Sequence, residues 1–197
     1  SVRYLGRYAP FSDDPGIEYS PGVERRLRLG VRRIIDYQTT ATAAFTVGNF
    51  GEDELTGGQG FAYQPGNRYI GEISLARQIQ RSTVRVFAWG FWRAAGDSAG
   101  AMVPRAKERI IYAGCVWSLP VSGLVTLDPG VDVRGWRSDG GGNGQLIAGQ
   151  FAGRVRLTRS LVLAPTVRVE RGDIRLSDTV AGSFSGLTAG VLLRATL

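Results

Sequence analysis

The chain has 197 residues, of which 43% are hydrophobic, an ordinary share for a globular protein and a length suited to one domain or two small ones. Its 24 basic and 17 acidic residues leave a formal charge of +7, and because Lys107 is the only lysine nearly all of the positive charge is arginine. The arginines are spread along the chain instead of gathering in a basic tail, which argues against a nucleic-acid patch. The longest uncharged stretch near the middle, residues 113–127, is interrupted by Pro120 and Gly123 and falls short of the roughly 18 apolar residues of a spanning helix. A lone Cys115 excludes an internal disulfide framework. No signal peptide is visible from Ser1, so the chain reads as mature or trimmed.

In chain order, apolar residues on every second position predict strands over 23–33, 38–50, 68–78, 82–93, 108–119, 124–137, 145–158, 161–172 and 187–197. Residues 1–8 alternate through Val2, Tyr4 and Tyr8 and make a shorter tenth. Links at 34–37, 80–81, 120–123 and 159–160 are tight. Those at 9–22, 51–67, 94–107, 138–144 and 173–186 are long and rich in Gly, Asp, Ser and Pro. Strands of 11 or so residues, tilted near 45°, match what a hydrocarbon layer demands, whereas soluble strands are usually about half as long.

The segment 124–136 shows the two faces most plainly. Val125, Leu127, Pro129, Val131 and Val133 point one way, and Thr126, Asp128, Gly130, Asp132 and Arg134 the other. A strand of that kind needs a different solvent on each side, which predicts an all-β fold: a single antiparallel up-and-down transmembrane β-barrel over residues 1–197, with about ten strands in a range of eight to twelve. The alternative is a soluble β-barrel with its apolar rows packed inward around an apolar small ligand.

The closing run Gly186-Leu187-Thr188-Ala189-Gly190-Val191-Leu192-Leu193-Arg194-Ala195-Thr196-Leu197 resembles the C-terminal assembly signal of outer-membrane β-barrel proteins of Gram-negative bacteria, and the likeness extends along nearly the whole chain. Such barrels mostly end in an aromatic, with another two positions earlier, where this chain has Leu197 and Ala195. The resemblance implies outer-membrane localisation, lipid and lipopolysaccharide as surroundings, and the barrel-assembly machinery as a partner of the last strand. With tight turns on the periplasmic side, both termini are expected there too.

If odd positions meet lipid, the even ones line the lumen. An ionic wall is then expected from Glu24, Arg26, Arg28, Arg32, Asp128, Asp132, Arg134, Arg154, Arg156, Arg168, Glu170 and Arg194. The third to fifth strands should form a more apolar wall, with Ile70, Ser74, Ala76, Val84, Val86, Ala88, Tyr112, Gly114 and Val116 inside and Phe87, Trp89 and Phe91 outside. Three uses fit such an interior: a closed network of ion pairs, a narrow pore whose excess arginine favours small anionic solutes, or passage of an amphiphile along the apolar wall. Arg25, Arg93, Arg109 and Arg171 are odd-numbered and expected near the extracellular rim, where guanidinium groups suit lipopolysaccharide phosphates or snorkel from strand ends.

Catalysis is not expected. The chain has no histidine, the usual acid–base group near neutral pH, and Arg134 beside Asp128 and Asp132 suggests charge pairing instead. Glu52-Asp53-Glu54 lacks metal-ligand spacing and reads as a solvated loop, so no metal is expected. Gly140-Gly141-Gly142-Asn143-Gly144 precedes a strand and lacks the Lys-Ser/Thr pair of a phosphate loop, so it reads as a flexible link, and no cofactor is expected.

Overall fold

The computed structural model describes residues 2–5, 18–20, 22–56, 61–99, 106–139, 141–158, 160–176 and 179–195. It is all-β, with strands β1 (Val2–Leu5), β2 (Glu18–Ser20), β3 (Glu24–Ile34), β4 (Thr39–Phe50), β5 (Asp53–Thr56), β6 (Phe61–Gln64), β7 (Arg68–Ile79), β8 (Ser82–Arg93), β9 (Asp97–Ala99), β10 (Glu108–Pro120), β11 (Val125–Ser138), β12 (Asn143–Arg156), β13 (Leu161–Arg175) and β14 (Ala181–Ala195). Ten of them form one antiparallel up-and-down sheet in the order β1-β3-β4-β7-β8-β10-β11-β12-β13-β14. These are the ten strands expected from the period-two pattern, most with ends shifted by only a residue or two. Among the described residues no ladder joins β1 to β14.

Four short strands, β2, β5, β6 and β9, form a second antiparallel sheet in that order. They come from three different connections at one end of the large sheet, those following β1, β4 and β8. At the same end the later connections are short: β11 runs on to Ser138 before β12 begins at Asn143, and β13 runs to Arg175 before β14 begins at Ala181. The long link expected at 173–186 is therefore mostly strand, and the one expected at 138–144 shortens to residues 139–142. In the latter, the Ser138 amide donates to the Gly142 carbonyl at 2.7 Å, and Gly141 takes a φ of 97°, a left-handed conformation that suits glycine. Leu197, at the end of the assembly-signal likeness, lies outside the described residues.

Register settles which residues share a face, because directly opposed residues of an antiparallel pair point the same way. Most neighbouring strands pair even with even positions, as in Asp132↔Ala148 and Ala148↔Glu170. Strand β8 breaks the parity. Only Gln80 and Arg81 separate the paired Ile79 and Ser82, and Gln80 adopts a φ of 56° in this tight turn. A loop of two residues shifts parity by one, so Glu72 faces Trp89, Ser74 faces Phe87 and Ala76 faces Arg85. Thus Arg85, Phe87, Trp89, Phe91 and Arg93 belong to the polar face and Val84, Val86 and Ala88 to the apolar one, the reverse of the expectation. Strand β1 shifts likewise in its register: Val2 opposes Leu27 and Tyr4 opposes Arg25.

Burial is inverted relative to a water-soluble sheet. Leu29, Val31, Ile73, Ile111, Val131, Ile147, Val169 and Leu187, all on the apolar face, are exposed. The buried residues include Glu24, Thr46 and Asp132 on the polar face, and Asp132 is only 2% exposed. Charges on the apolar face stay near strand ends, as with Arg25 and Arg33 of β3 and Arg109 of β10. Between them runs an uncharged band, spanning residues 111–119 in β10, 125–135 in β11 and 161–169 in β13. At about 3.3 Å per residue, eight residues cover roughly 26 Å of strand.

Aromatic residues flank this band. Tyr69 stacks with Phe45 at 6.5 Å between ring centres, while the Trp92 ring lies over Gly71 and Gly90, where a Cβ would come within 3.5 and 2.3 Å of it. Both sit toward the end of the sheet that carries the long connections, and Trp117 lies toward the tight-turn end.

Candidate functional site: the polar face

Two sectors divide the polar face. On β11–β13, arginines meet carboxylates. Arg168 of β13 makes a two-pronged contact with Asp132 of β11, donating from Nη1 at 2.6 Å and Nη2 at 2.8 Å, and its Nε donates to Glu170 at 3.2 Å. Between Asp132 and Glu170 lies Ala148 of β12, 2% exposed, whose small side chain lets the contact pass over an intervening strand. One step toward the tight turns, Arg154 grips Asp128 at 2.7 and 2.9 Å, and the Ser118 hydroxyl bonds to the same carboxylate. Planar guanidinium forks matched to carboxylates are the stronger kind of charged hydrogen bond.

Three further pairs continue the theme elsewhere on the face. Arg28 reaches Glu72 across β4 at 3.0 Å, Arg26 reaches Glu24 at 2.6 Å, and Arg93 reaches Glu108 at 2.9 Å. Glu108 also accepts a hydrogen bond from the Trp136 indole at 2.8 Å.

The second sector, on β8, β10 and β11, pairs arginines with rings. The Arg85 guanidinium carbon lies 5.5 Å from the Phe87 ring centre, Phe87 lies 5.3 Å from Tyr112, and the Arg134 guanidinium carbon lies 5.3 Å from Tyr112. Gly114 makes this possible, since a Cβ there would approach the Phe87 ring at 2.8 Å and the Asp132 Cβ at 2.9 Å. An open cleft of about 630 Å³ runs beside these rings, with Thr42, Glu72, Ser74 and Trp89 also on its walls.

All of Arg26, Arg28, Arg32, Asp128, Asp132, Arg134, Arg154, Arg156, Arg168, Glu170 and Arg194 lie on the polar face. Their pairing differs in one respect from the sequence reading: Asp128 and Asp132 are held by Arg154 and Arg168, while Arg134 of their own strand rests on a ring. Among the described residues Arg32, Arg156 and Arg194, toward the tight-turn end, make no ion pair. Of the four arginines expected at the outer rim, Arg25, Arg109 and Arg171 are on the apolar face, but Arg93 is turned to the polar face by the parity shift of β8. The sequence reading puts Phe87 and Trp89 on the outer face and gives Arg85 no role; the two-residue turn at 80–81 is the signal that turns all three to the polar face.

Asp53 is not the solvated loop residue its acidic neighbours suggest. It lies in β5, is buried, and accepts a 2.8 Å hydrogen bond from the Gly22 amide. Among the described residues no group of acidic or sulfur side chains has the arrangement of a metal site. No protein-family model matches the chain, and no curated protein or solved structure matches it either.

Proposed function

We propose that this chain is a non-enzymatic β-barrel of the bacterial outer membrane, its polar face lining a narrow lumen that favours small anions. The observation that carries the proposal is the inverted burial: exposed Leu29, Val131 and Ile147 on one face, and an Asp132 buried under an arginine on the other. Exposed apolar residues in a continuous band suit acyl chains, and the confinement of charge to strand ends suits the headgroup regions. Arg25, Arg109 and Arg171 would then meet lipopolysaccharide phosphates, and β14 would be the strand presented to the assembly machinery. The anion preference is supported by Arg32, Arg156 and Arg194, whose charge no carboxylate among the described residues offsets.

A structural barrel without conductance is the second reading, favoured by the Asp132–Arg168–Glu170 and Asp128–Arg154 contacts, which tie the β11–β13 wall together. Planar-bilayer recording separates the two. A channel gives steady, salt-dependent current with a reversal potential on the anion side, shifted toward zero when Arg154 and Arg156 are both changed to Gln. Silence in repeated insertions of heat-modifiable, folded protein leaves the structural barrel.

A further inference from the structure

We infer that the cleft between β7, β8, β10 and β11 on the polar face is a binding site for an aromatic carboxylate, its ring against Phe87, Tyr112 and Trp89 and its carboxylate between Arg85 and Arg134. The inference rests on the polar face being the hydrated one.

Three observations carry it. Arg85 and Arg134 are exposed cations that line the cleft and make no ion pair among the described residues, unlike Arg26, Arg28, Arg93, Arg154 and Arg168, each of which holds a carboxylate. The acid on the cleft wall, Glu72, is engaged by Arg28 at 3.0 Å, and Asp128 of the neighbouring β11 is taken by Arg154 and Ser118. Finally, two ring pairs lie on this stretch of the face: Phe87 against Tyr112, and Trp89, opposite Tyr112 in the register, stacked on Phe91 at 6.2 Å and 15°.

The chemistry of the ligand follows from these groups. A guanidinium fork binds a carboxylate with two parallel hydrogen bonds, and aromatic faces prefer offset or tilted rings as neighbours. An inorganic anion would satisfy the arginines and leave the ring surface wet. A neutral apolar ligand would cover the rings and desolvate the guanidinium groups without a counter-charge. A cation is repelled by both arginines. The bonded Thr42 and Ser74 hydroxyls, 2.6 Å apart, offer a ring substituent a polar contact on the β4–β7 side.

The test is calorimetric titration of the folded chain in detergent micelles with benzoate, compared with acetate and benzylamine. Saturable benzoate binding is expected, with acetate and benzylamine each about tenfold or more weaker, the loss of one good contact. Arg134→Gln and Arg85→Gln should each weaken benzoate about tenfold. Phe87→Leu should weaken benzoate while leaving acetate unchanged, and Arg77→Gln, on the apolar face, should change neither. Heat-modifiable gel migration of each variant establishes that it is folded. Unsaturable benzoate, equal binding of acetate, or unchanged binding in the folded Arg85→Gln, Arg134→Gln double variant would overturn the site. A conducting channel that ignores benzoate removes the site alone, whereas saturable binding with a silent bilayer supports the site and removes only the channel.

Discussion

On one face of one sheet, Arg154 of β12 and Arg168 of β13 are clamped by acids while Arg85 of β8 and Arg134 of β11 rest against rings. What stands beside each guanidinium decides the difference. Arg168 lies two strands from Asp132, and the small Ala148 opposite Asp132 leaves room for the fork to reach its acid. Arg134 is opposite Tyr112, and Arg85 shares its strand face with Phe87. The first arrangement uses its charges up in holding strands together; the second leaves them available to something that enters.

The largest effect should come from breaking the clamp. Asp132→Ala leaves Arg168 without its main partner at a buried site, a change that typically costs about 3–5 kcal/mol, to be read from urea unfolding in micelles or vesicles. A loss no greater than that of Arg134→Gln would erase the distinction between the sectors. Next in size, Val131→Arg, beside Asp132 but on the apolar face, should cost about 2–4 kcal/mol if acyl chains touch that position near the midplane. An unchanged midpoint would mean that water meets Val131.

Gly114 sits on the seam between the sectors. Gly114→Ala would push against both Phe87 and Asp132, and overpacking of this kind costs about 1–3 kcal/mol. The variant should also disturb the Phe87 and Tyr112 ring resonances in NMR spectra. If those resonances stay put while stability falls, the rings are not joined as described.

The smallest effect concerns neither sector and serves as a baseline. Asp36, in the turn between β3 and β4, has its pKa lowered, first by the hydrogen bond that the Gln38 amide donates to its carboxylate at 2.7 Å, against a raising effect of desolvation and with smaller lowering from Thr39 and Arg77. A carboxyl whose folded pKa lies below its unfolded value stabilises the fold above the unfolded value, and that contribution fades as pH falls through the folded one. The side chain is exposed, so Asp36→Asn should cost only a little stability, evenly above the usual carboxylate range and vanishing as pH falls below it. A large change near neutral pH would contradict the assignment.

Much of the large sheet was legible because a period of two persists along each strand and exposes its own ends. The strand extensions through residues 138 and 173–175, and the start of β14 at Ala181, were obscured by Gly, Ser and Asp residues that resemble loop composition but pair well in a ladder. The face of β8 was hidden for another reason: parity passes through a turn according to its number of residues, and the hydrophobic rows alone do not count them. Partners of Asp128 and Asp132 were out of reach because they lie on other strands, and register, not proximity in the chain, brings them together. The small sheet of β2, β5, β6 and β9 has strands of only three or four residues, too short to show a period.

In the proposed barrel the exposed nonpolar row faces lipid, and that placement is tested most directly by nitroxide scanning of β12, one position at a time over residues 145–155, in a Cys115→Ser background reconstituted into vesicles. Labels at 147, 149, 151 and 153 should collide with oxygen dissolved in the bilayer, while those at 146, 148, 150 and 152 should not, so that oxygen collision oscillates with a period of two. Absence of the oscillation, or water-soluble nickel chelates reaching 147–153 more readily than oxygen does, would contradict it.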